Sequence, residues 1–202
     1  AAIAWLNEST GTHFYLVKVE AVRIGNSPAA PLLTLIVGPS KEVTVQSQKK
    51  ELAERYDIRQ NWWTQLVGLP GAKLHKHITP NSYSWIGTSS GIRGLNLNYV
   101  VTQDTIAAEL YIDRGKSAEE ENTSIFEQLQ AVRDVVDAEI PYPVSWEELN
   151  GRRACRIRIT LAGGYRSPDQ EWESIQSNAV EAMNALNAAL QPQLKKLKLG
   201  AQ

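Results

Sequence analysis

WIGTSSGIRGLNLNYVVTQDTIAAELYIDRG, residues Trp85–Gly115, is the stretch whose period decides the fold. From Leu95 to Val101 the side chains Leu95, Leu97, Tyr99 and Val101 alternate with Asn96, Asn98 and Val100. From Thr105 to Ile112 a second apolar set, Ile106, Ala108, Leu110 and Ile112, alternates with Ala107, Glu109 and Tyr111. Successive strand residues point to opposite faces, so each run has one apolar and one largely polar side. The two phases match across the Thr102–Thr105 turn and predict a hairpin of an antiparallel sheet covered on one face only. Gly87, Gly91 and Gly94 precede the first run. Their spacing misses the dinucleotide G-x-G-x-x-G pattern, and no strand-loop-helix unit surrounds them, so they are expected to form a bent approach to a strand. Gly115-Lys116-Ser117 resembles the end of a phosphate-binding loop, but Leu110 stands where its first glycine belongs.

On the C-terminal side, Ser117-Ala118-Glu119-Glu120 reads as a capping box opening a helix to about Glu139, with Ile125, Leu129, Val132 and Val136 inward and Phe126 and Val135 beside them. Pro141 and Pro143 break it, Val144–Leu149 is ambiguous between strand and helix, and Asn150-Gly151 marks a turn. Ala154–Leu161 alternates again, with Cys155, Ile157, Ile159 and Leu161 inward and Arg156, Arg158 and Thr160 outward. Ser167-Pro168-Asp169-Gln170 reads as a second capping box before a long helix striped by Trp172, Ile175, Ala179, Met183, Leu186 and Leu190, which Pro192 should kink or stop.

On the N-terminal side, residues 47–67 form an amphipathic helix on Leu52, Tyr56, Trp63 and Leu66 or Val67, with Lys49, Lys50, Arg55 and Arg59 largely outside that stripe. The loop 68–84 holds His75-x-His77; no third metal ligand stands nearby, so both imidazoles are expected to be exposed. Further upstream come a helix over 1–8 and strands over 13–24 and 32–37. These elements predict an α+β protein: a two-layer domain over 47–199, with an antiparallel sheet and helices on one face, preceded over 1–40 by a helix and β-hairpin left from another domain.

Composition narrows the function. No apolar run approaches the roughly 20 residues that span a bilayer, so no membrane partner is expected. Cys155 is the only cysteine, which excludes an internal disulfide and suits the cytoplasm. The chain opens on Ala1 and Met183 is its only methionine, so a piece of a longer protein is expected. Charge is uneven: residues 96–150 carry three Lys or Arg against twelve Asp or Glu, and residues 151–202 carry eight against four. The acidic first turn near Glu119 suits a helix dipole. With three histidines, two in one loop, no base can be assigned to a Ser, Thr or Cys nucleophile. The nuclease Glu-x-Lys pattern fails because Tyr111 follows Glu109, and Val22 follows Glu20, at that offset. No catalytic residue, metal or cofactor is assigned.

The polar sheet face is the candidate surface. Asn96, Asn98, Glu109, Tyr111, Arg156 and Arg158 should share it, with Arg152, Arg153, Lys49 and Lys50 as further cations. Arginine and asparagine can donate to phosphates, and Tyr111 can stack on a base. The structural alternative is cross-strand ion pairing of Glu109 with an arginine. The Trp85–Gly115 stretch, NTSIFEQLQAVRDVVD and SWEELNGRRACRIRI together resemble, over residues 47–199, a bacterial and archaeal domain of unknown function that follows restriction-endonuclease-like domains of the PD-(D/E)XK type. IAWLNESTGTHFYLVKVEAVRIGNSPAAPLLTLIV resembles the end of such a nuclease-like domain. The resemblance implies a link to DNA metabolism or defence, and an intact protein that is such a nuclease. The expected role is a non-catalytic nucleic-acid-binding or substrate-positioning module with DNA as partner. The alternatives are an oligomerisation or protein-interaction domain that forms a homodimer, and an enzyme that uses Glu109, Tyr111 and the arginines.

Overall fold

The computed structural model describes residues 2–10, 12–23, 28–38, 41–149 and 151–199; the side chains of residues 8 and 41–52 lie outside the description. The protein is α+β and divides into two compact units, 1–55 and 56–202.

The first unit contains α1 (Ala2–Ser9) and an antiparallel hairpin of β1 (Leu16–Val22) and β2 (Ala30–Val37). Asn7 ties helix to hairpin: its side chain donates to Phe14 O at 2.8 Å and accepts from Phe14 N at 2.6 Å. The register pairs Val17 with Leu35, Val19 with Leu33 and Ala21 with Pro31, giving one wholly apolar face. Lys18 and Glu20 bridge at 2.8 Å on the other. Val19, Leu33 and Leu35 are exposed within this structure.

The helix α2 (Lys41–Gly68) contributes its second half to the second unit. There follow β3 (Trp85–Ser89), β4 (Leu95–Val101), β5 (Thr105–Ile112), α3 (Glu119–Gln130), α4 (Arg133–Glu139), β6 (Ser145–Glu148), β7 (Cys155–Ala162) and α5 (Asp169–Leu194). The five strands form one antiparallel sheet in the order β3-β4-β5-β7-β6. The sequence-predicted inward residues of β4, β5 and β7 all face the helices, and all but the partly buried Leu161 are buried. They pack against α5, α3 and the Trp62, Trp63 and Leu66 turn of α2. Trp62 meets Trp172 edge-on at 4.9 Å, and Gln176 donates to Trp62 O at 3.1 Å.

Several local expectations are corrected. The glycine-bearing lead-in is itself a strand, β3, with Gly87 inside it; Gly91 and Gly94 take the positive φ of the β3–β4 turn. Neither capping box forms. Ser117 adopts φ 62° and Ala118 stands at the N-cap of α3 without a side-chain bond. Buried Asn122 ties down this approach, as described below. Ser167 turns its hydroxyl back to accept from Gly164 N at 3.1 Å, leaving Pro168 at the N-cap of α5. Gly164 must lack a side chain, because a Cβ there would strike the Thr102 and Gln103 carbonyls. The single helix expected over 117–139 is two, α3 and α4, because Val132 leaves the helical region at φ −114°, ψ 19°. Val135 is exposed, as is Tyr56, which was expected in the α2 stripe. Pro192 neither ends α5 at once nor lies beyond it; the helix runs two residues further, to Leu194.

The histidine loop is also corrected. His77 is exposed, whereas His75 is fully buried, its ring 4.6 Å from that of Tyr99. Its Nε2 lies 2.9 Å from Leu97 O, an atom that can only accept, so the proton sits on Nε2. Burial pulls its pKa down to about 4, against which the Leu97 bond works. Among the described residues no group of three or more His, Cys, Asp or Glu could hold a metal, and no helix is long and apolar enough to cross a membrane.

Candidate functional site

The ladder fixes what lies on the face away from the helices. Gly87, Asn98, Glu109, Arg158 and Ser145 form one cross-strand row, and Ser89, Asn96, Tyr111, Arg156 and Glu147 form the next. Trp85 sits one row to the other side, paired with Val100. The six residues expected on this face, Asn96, Asn98, Glu109, Tyr111, Arg156 and Arg158, are therefore brought together. Lys49 and Lys50 fall within α2, but their side chains lie outside the described ones.

This face carries a concavity of about 480 Å³ lined by Trp85, Asn96, Asn98, Val100, Glu109, Tyr111, Asp113, Arg152 and Arg156. Its size falls in the range of small-ligand sites, about 300–1,000 Å³. Glu109 forms the floor with only 4 % of its surface exposed. Its Oε2 lies 3.7 Å from Arg158 Nε and 4.0 Å from Arg156 Nη1, too far for hydrogen bonds. The ion pairing allowed by the sequence is thus present but loose. Glu109 Oε2, Asn98 Oδ1 and Arg158 Nε are all buried without a hydrogen-bond partner. Burial raises the pKa of Glu109 more than Arg158, Arg156 and an Asn98 hydrogen bond lower it. Burial likewise lowers that of Arg158 more than Glu109 raises it. For both partners desolvation outweighs attraction, as expected of a buried pair with poor geometry.

The other arginines differ. Arg156 is held by Glu147, through Nε at 2.8 Å and Nη2 at 2.6 Å, which leaves Nη1 toward Glu109. Arg153 grips Asp113 through two bonds of 2.7 and 2.9 Å, and this pairing holds the Asp113 carboxyl below its usual range. Buried Asn122 ties the same two loops together, accepting from Arg114 N at 2.9 Å and donating to Arg153 O at 2.8 Å. Arg114 adds an ion pair to Glu121 at 2.9 Å. Arg152, exposed at the rim, makes no ion pair among the described residues. Tyr111 has its pKa raised, first by partial burial and then by Asp113 and Glu109.

Sequence reasoning missed Trp85, Gly87, Asp113, Glu147 and Asn122. For the first two the signal was present: Trp85, Gly87 and Ser89 alternate with Ile86 and Thr88. Gly87 breaks that pattern by composition while serving it by shape. A Cβ at position 87 would land on Asn98 Oδ1, so only glycine leaves the carboxamide its place. Half-exposed Trp85 then stands free beside the gap. Asn122 was hidden because a polar residue in the acidic first turns of a helix looks like solvent-facing surface.

Fold and site together define a two-layer α+β domain with one sheet face buried by helices and the other an open polar cup. The chain belongs to the family described as Domain of unknown function (DUF4268), whose sequence model matches residues 58–194. No curated protein and no solved structure matches it.

Proposed function

We propose that the open face binds an unpaired nucleic-acid strand, with DNA the expected partner, and that the chain is a non-catalytic binding or substrate-positioning module. The observation that supports this is the cup itself. It combines Trp85 and Tyr111 for stacking with a free Arg152 at the rim for phosphate, over a floor that carries the polar side chains of Asn96 and Asn98. Most of the arginines are engaged by carboxylates, which argues against a broad phosphate-tracking groove and for a local contact with a few nucleotides. The resemblance of the flanking sequence to a restriction-endonuclease-like domain supports placing this module in a nuclease-like protein.

The test is fluorescence anisotropy of a labelled single-stranded DNA oligomer against the full chain over a salt series. Arg152→Glu is expected to weaken binding and to reduce the slope of log K against log salt by about one. Unchanged affinity and slope would sink the reading.

A second reading, protein contact, is supported by the apolar face of the β1–β2 hairpin, where Val17, Val19, Leu33 and Leu35 stand exposed. Self-association in sedimentation that Leu33→Lys abolishes is its expected outcome. A monomer at every concentration would contradict it as a homodimer contact.

A further inference from the structure

The five-stranded sheet ends on β3 at one side and β6 at the other. On β3 the direction of each main-chain group follows from two bonds: Val101 N donates to Ser84 O at 2.8 Å, and Ser90 N donates to Leu95 O at 3.0 Å. Bonded and non-bonded pairs alternate along an antiparallel ladder, so Ile86 and Thr88 also bond inward, to Tyr99 and Leu97. The N–H and C=O groups of Trp85, Gly87 and Ser89 therefore point outward from the edge. Among the described residues no main-chain or side-chain group pairs with them, and Trp85 and Ser89 are exposed.

An open edge accepts a further strand, and proteins guard such edges with charge, proline or bulges. The β6 edge is guarded. Pro143 stands just before it and Glu147 and Glu148 lie on it, so a second β6 alongside would set carboxylates against carboxylates. The β3 strand, Trp-Ile-Gly-Thr-Ser, carries neither charge nor proline, and its register with β4 runs without a bulge. Its order is also complementary to its own reverse. With Gly87 opposite the partner's Gly87, Trp85 faces the partner's Ser89 and Ile86 faces the partner's Thr88. Each bulky side chain then meets a small one on both faces of the sheet, and Trp85 has the partner's Gly87 as its diagonal neighbour. The outward groups at positions 85, 87 and 89 exchange two hydrogen bonds per pair in this register. Any extended peptide satisfies those bonds, whereas the size pattern about Gly87 is matched by the chain itself.

We infer that β3 is a dimerisation edge, at which two copies of the chain pair antiparallel about a two-fold axis at Gly87 and join their five-stranded sheets into one. The axis stands normal to the sheet, so both cups open on the same side. The partner's Trp85, opposite Ser89, extends the row of Ser89, Asn96 and Tyr111. Each open face thereby gains an aromatic side chain that its own chain does not supply in that row. The contact uses none of the residues of the β1–β2 hairpin and does not depend on what the cup binds.

Sedimentation velocity of the full chain over a concentration series should show a monomer–dimer equilibrium. Ser89→Pro removes an outward N–H without touching the β3–β4 ladder, a change that edge strands tolerate, and should return the chain to monomer. Leu33→Lys on the hairpin should leave the dimer intact. Register is read by cysteine substitution at exposed positions, Cys155 being buried. Residues of a bonded pair have Cα atoms about 5.5 Å apart, within disulfide reach. Under mild oxidation a mixture of Trp85→Cys and Ser89→Cys chains should cross-link, whereas either variant alone should not, because like positions lie out of register. This readout stands even if the proline variant fails to fold. A chain that is monomeric at every concentration overturns the inference, as does a dimer that survives Ser89→Pro. A dimer that Leu33→Lys abolishes overturns it in favour of the hairpin contact. Cross-links as abundant in either single-variant sample as in the mixture, or none in the mixture, overturn it too.

Discussion

The two faces of the five-stranded sheet are built from alternate residues of the same strands, yet one buries apolar and neutral side chains and the other buries charge. Toward the helices, Leu97, Tyr99, Leu110, Ile157 and their neighbours are buried against apolar partners, and the neutral polar side chains among them, His75, Trp62 and Gln176, each bond a main-chain or ring neighbour while leaving one atom unpaired. On the opposite side of the pleat, the open face buries a charged group: Glu109 lies between Arg158 and Arg156 in ion pairs stretched to 3.7 and 4.0 Å. A buried carboxylate in pairs of that geometry contributes little to stability. The difference teaches that the apolar face accounts for the core, while the charged side chains of the other face add little to stability.

Substitutions on the two faces should therefore separate stability from binding. The largest stability effect is expected from Leu110→Ala on the helix side, at about 2–5 kcal/mol in denaturant unfolding, with oligomer affinity unchanged under folding conditions. Comparable loss of affinity in that folded variant would blur the distinction between the faces.

Next comes pH. His75 has a folded-state pKa of about 4 against an ordinary 6.5, so the unfolded chain takes up its proton first as pH falls. Its contribution is fully present above about pH 6.5 and is lost as pH drops toward 4, amounting to about 3 kcal/mol if the whole shift is realised. Urea unfolding at successive pH values should show this slope in the wild type and a shallower one in His75→Gln. Parallel curves for the two proteins would contradict the buried, neutral imidazole.

On the open face the sign reverses. The Glu109 pKa is raised, so the folded state holds its proton longer than the unfolded chain, and stability declines as pH rises from the ordinary carboxylate range through the folded value. Glu109→Gln fixes the neutral form. It should leave thermal stability at pH 7 unchanged or improve it by up to about 1 kcal/mol. Marked destabilisation would make Glu109 a structural residue and close the gap between the faces. The smallest stability effect belongs to Arg152→Glu at the exposed rim, within about 0.5 kcal/mol, so that its effect on the salt slope reports binding alone.

Period-two alternation makes β4, β5 and β7 and their inward residues legible, and it carries Asn96, Asn98, Glu109, Tyr111, Arg156 and Arg158 to one face. Helical periodicity did the same for the long stripe from Trp172 to Leu190. What it could not supply were features decided by tertiary contact. Ser117 and Ser167 have the sequence of capping residues, but the loops around them are set by Asn122 and by the turn over Gly164. His75 lies in a loop rich in glycine and proline, where burial has no periodic signature. The engagement of Arg156 by Glu147 depends on β6 pairing with β7, and the short Ser145–Glu148 segment gave no period of its own. Even β3 was concealed, because the glycine that makes room for Asn98 also imitates a loop.

The open face as the binding surface is tested most directly by a nuclear magnetic resonance titration of the full chain with an unlabelled single-stranded DNA oligomer. The resonances to follow are the side-chain amides of Asn96 and Asn98 and the indole N–H of Trp85. The account predicts that these shift first and saturably, with the buried indoles of Trp62 and Trp172 on the helix side unmoved. Shifts confined to the helix side or to the β1–β2 hairpin, or none at DNA concentrations that saturate anisotropy, would contradict it.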